Sequence, residues 1–363
     1  MIDAASGTIR PARITDRQAL NHLSRRVHQA PDGYRRSLGV PAPSSGGGRF
    51  LLSTLIPSWM PLRSPSVHLV VEMDGELAGS CRAVEEPRGD DWVIIELEAI
   101  DTPAAAEIRY ALLEAVVDAG AGRGVSRFHA ACADVRDNLE LFGQLSFMSY
   151  AQEEILYRPP EPVSGPRSWV RKLLSHDGRT PSSTIRREAA MGQDGEIQLP
   201  LRAAGAPDAW HLFDLWTHCT PPAIARVEGY GAAAWESVGH EAGVPRSSLS
   251  PLMHFSGVDA WLMPQDQRAG GFAQHAAARH GPHYLRHLVR EGADGAQFLR
   301  SVLATMGDDA IAAGILSPVR TYESMGMRAA IATGFEPVGR VTLLVREVRG
   351  TVRQPALVPA VHS

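Results

Sequence analysis

The chain repeats itself. "IRPARITDRQALNHL" near the start is answered by "LRAAGAPDAWHLFDL" past the middle, with Arg10, Asp16 and Leu20 matching Arg202, Asp208 and Leu212 at the same internal spacing. Toward the end of each half, "LSFMSYAQEEILYR" is answered by "TGFEPVGRVTLLVR", Phe147 by Phe335. Both matches are offset by about 190 residues, and a common offset at both ends points to two related domains in tandem. A length of 363 residues also suits two domains better than one. The expected division is an N-terminal domain over 1–160, a linker over 161–196, a C-terminal domain over 197–350 and a tail over 351–363. The linker is rich in Pro, Ser and charge, a composition that buries little. "APSSGGGR", from Ala42 to Arg49, is expected to be a flexible loop or insertion.

Each half opens with a short strand, a turn whose Asp is expected to cap a helix, and an amphipathic helix. In the first half "VHLVVEMDGELAGSCRAVEE" reads as two alternating strands around Asp74-Gly75, the signature of a tight hairpin. "DWVIIELEAID" is a continuous apolar strand, "AEIRYALLEAVVDAG" a helix, "SRFHAACADV" a strand, "RDNLELFGQL" a helix and "EEILYR" the last strand. The second half follows the same order, from "VDAWLMP" and "GGFAQHAAARH" through "PHYLRHLVRE", "GAQFLRSVLATMG", "AAGILSPV" and "YESMGMRAAIATG" to "RVTLLVREV". Antiparallel strands followed by β-α-β-α-β make a mixed α/β sheet in both.

Composition excludes several partners. Net charge is −4 and charged residues make up 21% of the chain, so nothing marks a nucleic-acid surface. No apolar run is long enough to span a bilayer, and the start lacks a secretory core. Cys81, Cys132 and Cys219 are odd in number and far apart, which argues against disulfides or a zinc site and for a cytoplasmic protein with reduced thiols. A homodimer is allowed but not required.

The element order, with a helix running into "LSF" or "TGF" before the last strand, resembles the GNAT acyltransferase superfamily. "DNLELFGQLSF" looks like that family's final motif, with Ser146 where Gly is usual, and "YESMGMRAAIATGF" keeps the Gly-Phe. The resemblance covers residues 8–158 and again 198–348. It implies two GNAT-like domains, the first degenerate and supporting, the C-terminal one holding the active site, with acyl transfer from acetyl-CoA or another acyl-CoA to the amine of a small molecule or peptide; no metal is expected.

The same resemblance places the acyl-CoA phosphates on a small-residue loop that runs into a helix N-terminus, where amide groups and the helix dipole favour anions. In the first half the aligned stretch is "AAAEIR", with Glu107 where the first Gly belongs; a carboxylate there repels phosphate, a ligand-free helix start is the preferred reading, and this half is not expected to bind CoA in the usual way. In the second half it is "REGADG", so Arg290, Gly292, Ala293, Gly295 and Ala296 become the phosphate loop, with Asp294 expected to point outward. A plain strand-to-helix turn fits that stretch as well. The family's usual proton-donor positions hold Phe142 and Ala330, leaving Tyr322 as the acid and Arg320 as an anion contact.

His287, in mid-strand, is the expected base, its alternation placing it with His283 and Leu285. His275, His280 and His283 have no acidic or Cys companions and form no metal set. Glu96 and Glu98 share a face in the first half and suit the same task, but with the phosphate loop of that half lost they are expected to be an inherited feature at best. Cys219, in "THCTPP", is a substrate-groove or acyl-accepting candidate with no base beside it. The rival readings are a GNAT-fold binding or scaffold protein without catalysis, and transfer from a carrier protein or aminoacyl-tRNA.

Overall fold

The computed structural model describes residues 7–30, 32–38, 66–86, 91–160, 200–279 and 281–348. The linker and tail, the Gly/Ser-rich stretch and His280 lie outside the described residues.

Among the described residues, twelve strands form one mixed sheet. The first half supplies β1 (Thr8–Pro11), β2 (Ser66–Met73), β3 (Glu76–Glu85), β4 (Asp91–Ala99), β5 (Arg127–Ala133) and β6 (Met148–Arg158). Its helices are α1 (Arg17–Gln29), α2 (Ala105–Ala121) and α3 (Arg136–Gln144). The second half supplies β7 (Arg202–Ala203), β8 (Phe255–Gln265), β9 (Arg268–Ala278), β10 (His283–Val289), β11 (Ile315–Arg320) and β12 (Glu336–Glu347). Its helices are α4 (Ala209–Cys219), α5 (Pro222–Glu228), α6 (Gly295–Met306), α7 (Asp308–Ala313) and α8 (Ser324–Ala332). No helix among the described residues is long and apolar enough to cross a membrane.

The halves are joined at the centre by an exchange. The strand order is β1-β2-β3-β4-β5-β12-β6-β11-β10-β9-β8-β7. Thus β12, from the end of the chain, lies against β5, while β6 lies against β11. The two exchanged strands also pair with each other, from Glu336↔Tyr157 to Val345↔Met148. The last strand of each half therefore completes the sheet of the other.

Turn chemistry explains the local choices. Asp74 and Gly75 both take positive φ, the geometry of the tight hairpin their sequence signals. Ser146 sits at φ 61° and Gly334 at φ 86°, the matching left-handed closures of α3 and α8 before Phe147 and Phe335. The repeated Asp residues act differently from the helix caps expected of them. Asp16 accepts from the backbone N–H of Arg13 at 2.7 Å and pairs with Arg10 at 2.6 Å. Asp208 does the same with Gly205 at 3.1 Å and with Arg202. Each closes the turn ahead of its helix and ties it to the edge strand.

Apolar residues of α2 pack on one face of the first-half sheet, with Ile94, Leu97, Phe128 and Phe142 in one core. Leu344, from the far end of the chain, belongs to that same core. On the second half, Phe298, Leu299 and Val302 of α6 pack with Leu285, Val289 and Phe335. Trp216 and Trp235 fill a further core against Phe272. Trp216 thus packs in the core, whereas Trp210, at helical spacing from it, is exposed.

Candidate functional site

Both halves hold a pair of parallel strands that part company. β4 and β5 pair from Asp91↔Arg127 to Ile94↔Ala130 and then separate, although both strands run on. β10 and β11 pair only at His283↔Ile315 and Tyr284↔Leu316. What lies between the parted strands differs between the halves.

In the second half the opening is bridged by side chains. Ser317, on β11, donates to the carbonyl oxygen of Leu285, on β10, at 2.7 Å. Its hydroxyl also lies 3.2 Å from His287 Nδ1, and His287 Nε2 lies 3.0 Å from the Gly326 carbonyl at α8. A carbonyl only accepts, so Nε2 carries the ring proton and Nδ1 faces the Ser317 hydroxyl. His287 is fully buried, and burial holds its pKa down at about 4. The ring expected to take a proton from substrate is enclosed: Nε2–H is given to the Gly326 carbonyl, and Nδ1 faces a hydroxyl whose single proton goes to Leu285.

The phosphate loop of the second half is likewise engaged. Arg290 donates to the Ala269 carbonyl at 3.0 Å and to the Asp214 carboxylate at 2.5 Å. Gly292 takes φ 83° in the turn, and Ala293 is buried. Asp294, expected to point outward, turns over the helix start instead and accepts from Gln297 N–H at 3.0 Å. Ala296 follows Gly295 in the first turn of α6. A Cβ on Gly295 would meet Ala329 and Val289 at 3.0 Å, so this glycine serves close packing of α6 on α8 and β10.

Three more expected site residues take structural partners. Cys219 Sγ lies 3.5 Å from the Val289 carbonyl, and burial pushes its thiol up to about 12, so no thiolate forms near neutral pH. Arg320 is fully buried between Glu228 at 2.9 Å and Glu153 at 3.2 Å, and donates to the Arg246 carbonyl at 2.6 Å. Tyr322 is half-buried beside this network, and burial together with Glu323 raises its phenol far above the ordinary value. Glu323 itself holds Arg286 through two contacts of 2.9 and 2.5 Å.

The first-half opening is built otherwise. The register between β3 and β4 slips so that Arg82 faces Glu96 while Ala83 faces Ile94, leaving Ile95 extra. This bulge flips the alternation. Trp92, Ile94, Leu97 and Ala99 pack with α2, whereas Val93 and Ile95 face the other way. Glu96 and Glu98 then share the face of Val93 and Ile95. Both are almost wholly buried.

Each of these glutamates has a histidine and a serine. Ser80 donates to Glu96 at 2.5 Å, and His68 Nε2 lies 2.9 Å from the Ser80 hydroxyl. Ser24 donates to Glu98 at 3.3 Å, and His28 Nε2 lies 3.1 Å from the same oxygen. Burial and the charge of Glu96 raise Glu98 above the usual carboxylate range; in Glu96 burial is outweighed by His68 and Ser80, which bring it down. Two adjacent carboxyl groups pushed apart in this way divide into an acid and a base.

On that same face a cleft of about 600 Å³, its open mouth included, lies where the strands part. Ile94, Ile95, Ala130 and Ala131 line it from the first half, and Arg246, Ser247, Ser248, Pro251 and Leu252 from the second. Its polar end holds His129, Tyr150 and Arg246. Arg246 is tied to Glu86 at 2.7 Å, and Asp91 lies 3.3 Å from His129 Nε2. Burial, then Glu228, pushes the Tyr150 phenol up to about 12, so it keeps its proton.

The helix start behind the opening also differs. Ala104 leaves the N-terminus of α2 without a side-chain cap, and Glu107 is exposed. Arg109 is buried beneath the first turn and gives one N–H to the Arg35 carbonyl at 2.5 Å. Its Nε and Nη2 have no partner. The sequence carries a sign of this, since Arg109 falls on the apolar stripe Ala105, Ile108, Leu112, Val116. The serine and histidine partners of Glu96 and Glu98 come from separate elements and carry no such local sign.

Among solved structures, a tandem GNAT protein from the clavulanic acid biosynthesis pathway matches 94% of this chain over 98% of its own, at 11% identity and TM-score 0.51. This chain has the tandem GNAT fold. A GCN5-related N-acetyltransferase from Sphaerobacter thermophilus matches equally, at 11% identity and TM-score 0.51, covering 94% of this chain and 96% of its own. No protein-family model and no curated protein sequence matches the chain. Two GNAT domains in one sheet thus agree with the internal repeat, and among the described residues no group of His, Cys, Asp or Glu is placed to hold a metal.

Proposed function

We propose that this tandem GNAT protein is an N-acyltransferase whose transfer site lies in the first half, at the parting of β4 and β5. The acyl thioester would enter between the strands from the α2 side, and the amine acceptor would occupy the cleft on the opposite face. The observation that carries this reading is the coincidence at Ile94 and Ala130. They are the last paired residues of the two strands and also line the cleft.

The chemistry assigned to the chain's residues follows from their surroundings. Glu96, the carboxylate held ionised, takes the proton lost as the amine nitrogen bonds to the thioester carbonyl carbon. Ser80 and His68 carry it onward, the His68 side chain being 17% exposed and so open to water. The C–S bond breaks, and the leaving thiolate takes a proton from Tyr150, which is neutral and borders the cleft. The acyl donor is an acyl-CoA, for which the uncapped start of α2 supplies free amide groups. The acceptor is a small molecule or peptide terminus with an apolar body, because the cleft is lined mainly by Leu, Ile, Val and Ala.

The second half takes a supporting role in this proposal. Its opening is bridged by Ser317 and His287, its helix start is capped by Asp294, and its Arg246, Ser247, Ser248, Pro251 and Leu252 line the cleft.

Calorimetric titration with acetyl-CoA, followed by thiol release in the presence of an amine panel, tests the assignment. Saturable binding lost in Ala130→Trp and kept in His287→Gln supports the first half. Loss on His287→Gln with no effect of Ala130→Trp moves the site to the second half. Absence of binding by any CoA thioester favours the non-catalytic or other-donor reading.

A further inference from the structure

The entrance proposed for the donor is occupied by the chain itself. After α1 the backbone makes a short 3-10 turn, Gly33–Arg35, and runs on to Leu38. Three consecutive carbonyls of this segment are each held by a donor from the rim of the first-half opening. Asn138, on α3, gives an Nδ2–H to Tyr34 at 3.1 Å, and Arg109, on α2, gives an Nη1–H to Arg35 at 2.5 Å. The backbone N–H of Ala99, at the end of β4, goes to Arg36 at 3.1 Å.

The Ala99 bond fixes where the segment lies. Ile100 gives its N–H to Ala78 of β3 at 2.9 Å. Successive N–H groups along a strand point to opposite edges, so that of Ala99 points away from β3, into the gap left where β4 parts from β5. Leu38 agrees. It packs against the α2-side core and also lines the cleft of the opposite face, as a residue standing between the parted strands must.

The seat is close, yet incompletely satisfied. A Cβ on Gly33 would fall 1.9 Å from the Val27 carbonyl, so only glycine fits there against the end of α1. Ser37 is fully buried, and Arg36 ties the segment to Asp32 at 2.9 Å and to Asp101 at 3.1 Å. Asn138, however, is fully buried with its Oδ1 unpartnered, and the Asp101 side chain is 75% exposed. A buried unpaired acceptor and an ion pair open to water make a seat that can be vacated.

Resting on the donor path proposed above, we infer that residues 33–38 form an autoinhibitory strap, which closes the entrance between β4 and β5 until an acyl thioester takes its place. Once the strap leaves, the Ala99 N–H and Asn138 Nδ2 are free for amide carbonyls of the incoming carrier arm, so binding exchanges one set of hydrogen bonds for another. No covalent step is added. The apparent affinity for the donor is its intrinsic affinity reduced by the fraction of molecules with the strap open.

The thiol introduced by Ser37→Cys is sealed while the strap is seated. Its alkylation by N-ethylmaleimide in the full-length protein, read by peptide mass mapping, should speed up at least about 10-fold at saturating acetyl-CoA, as expected if the donor opens the strap. Adding Arg36→Ala should raise the alkylation rate without ligand and tighten acetyl-CoA binding about 10-fold, the scale of hydrogen bonds to charged groups. Asp101→Asn, at an exposed carboxylate, should act in the same direction more weakly and serves where Arg36→Ala does not fold. Acetyl-CoA binding by either loosened variant but not by the parent supports the strap most directly. Alkylation unchanged or slowed by bound acetyl-CoA, or equal affinity in the parent and both variants, overturns the strap while leaving the acyltransferase reading intact. Failure of acetyl-CoA to bind any of them removes the donor path, and the strap with it.

Discussion

The carboxylate of Asp294 accepts a hydrogen bond from the backbone N–H of Gln297 at 3.0 Å, so the helix that should greet an anion has already been given one of its own. An intramolecular carboxylate at a helix start is always present, whereas a phosphate must be recruited. The first turn of α2 also carries a carboxylate, Glu107, but it is exposed and accepts no hydrogen bond from the helix start.

Asp294→Ala should therefore cost stability, by about 1 kcal/mol as for other N-cap losses. The cost should appear as a lower urea midpoint with an unchanged slope. No change in midpoint would show that the cap contributes nothing to the fold.

The buried imidazole of His287 predicts a pH dependence of known sign. Its folded pKa is depressed to about 4 from an ordinary 6.5, so the unfolded chain binds the proton first. Stability from this group is complete above pH 6.5 and is lost as pH falls toward 4, by about 3 kcal/mol in total. Arg286, on the same strand, pushes in the same direction. Urea midpoints across pH 7 to 4 should fall for the parent and fall less steeply for His287→Gln, which lacks this buried imidazole. Equal slopes would mean the ring titrates freely.

Arg320 holds two carboxylates from opposite halves of the chain, Glu153 on β6 and Glu228 on α5, all three almost fully buried. Arg320→Met leaves both anions unpaired and should cost about 3–5 kcal/mol. Adding Glu228→Gln should restore part of the loss, because burial already raises the Glu228 pKa and a neutral amide is cheap to keep there. A denaturation double-mutant cycle with no coupling would show that the arginine acts through packing alone.

How far these arrangements could be read from the sequence depends on their range. The repeated spacing of Arg10 with Asp16 and of Arg202 with Asp208 was visible because it lies within one short turn, but each Asp was expected to cap a helix and instead pairs with its Arg. The tight hairpin at Asp74-Gly75 was visible for the same reason. The bulge at Ile95 was not, since a slipped register is a relation between strands and leaves no mark on either one alone. Glu107 looked like the obstruction but is exposed, and Asp294 looked harmless but caps its helix. The direction in which a short carboxylate turns is set by the backbone angles of its own residue and cannot be read from neighbours in sequence.

The exchange of β6 and β12 was likewise invisible, because the two halves read as self-contained repeats. It has a thermodynamic consequence. Leu344, near the end of the chain, is buried in the core that holds Trp92, Leu112 and Phe128, and β12 pairs with β5 from Val341↔Ala133 to Glu347↔Arg127. The first half thus lacks its inner strand until the last residues of the second are in place, and each half's stability contains the other's. Calorimetry should show one unfolding transition, with equal calorimetric and van't Hoff enthalpies, where independent repeats would give two. Leu344→Ala, a truncation in the first-half core made from the second half of the chain, should cost about 2–5 kcal/mol and move that single transition as a unit. A split into two peaks, with only one displaced, would show that the halves fold apart and that the exchanged strand is a late addition.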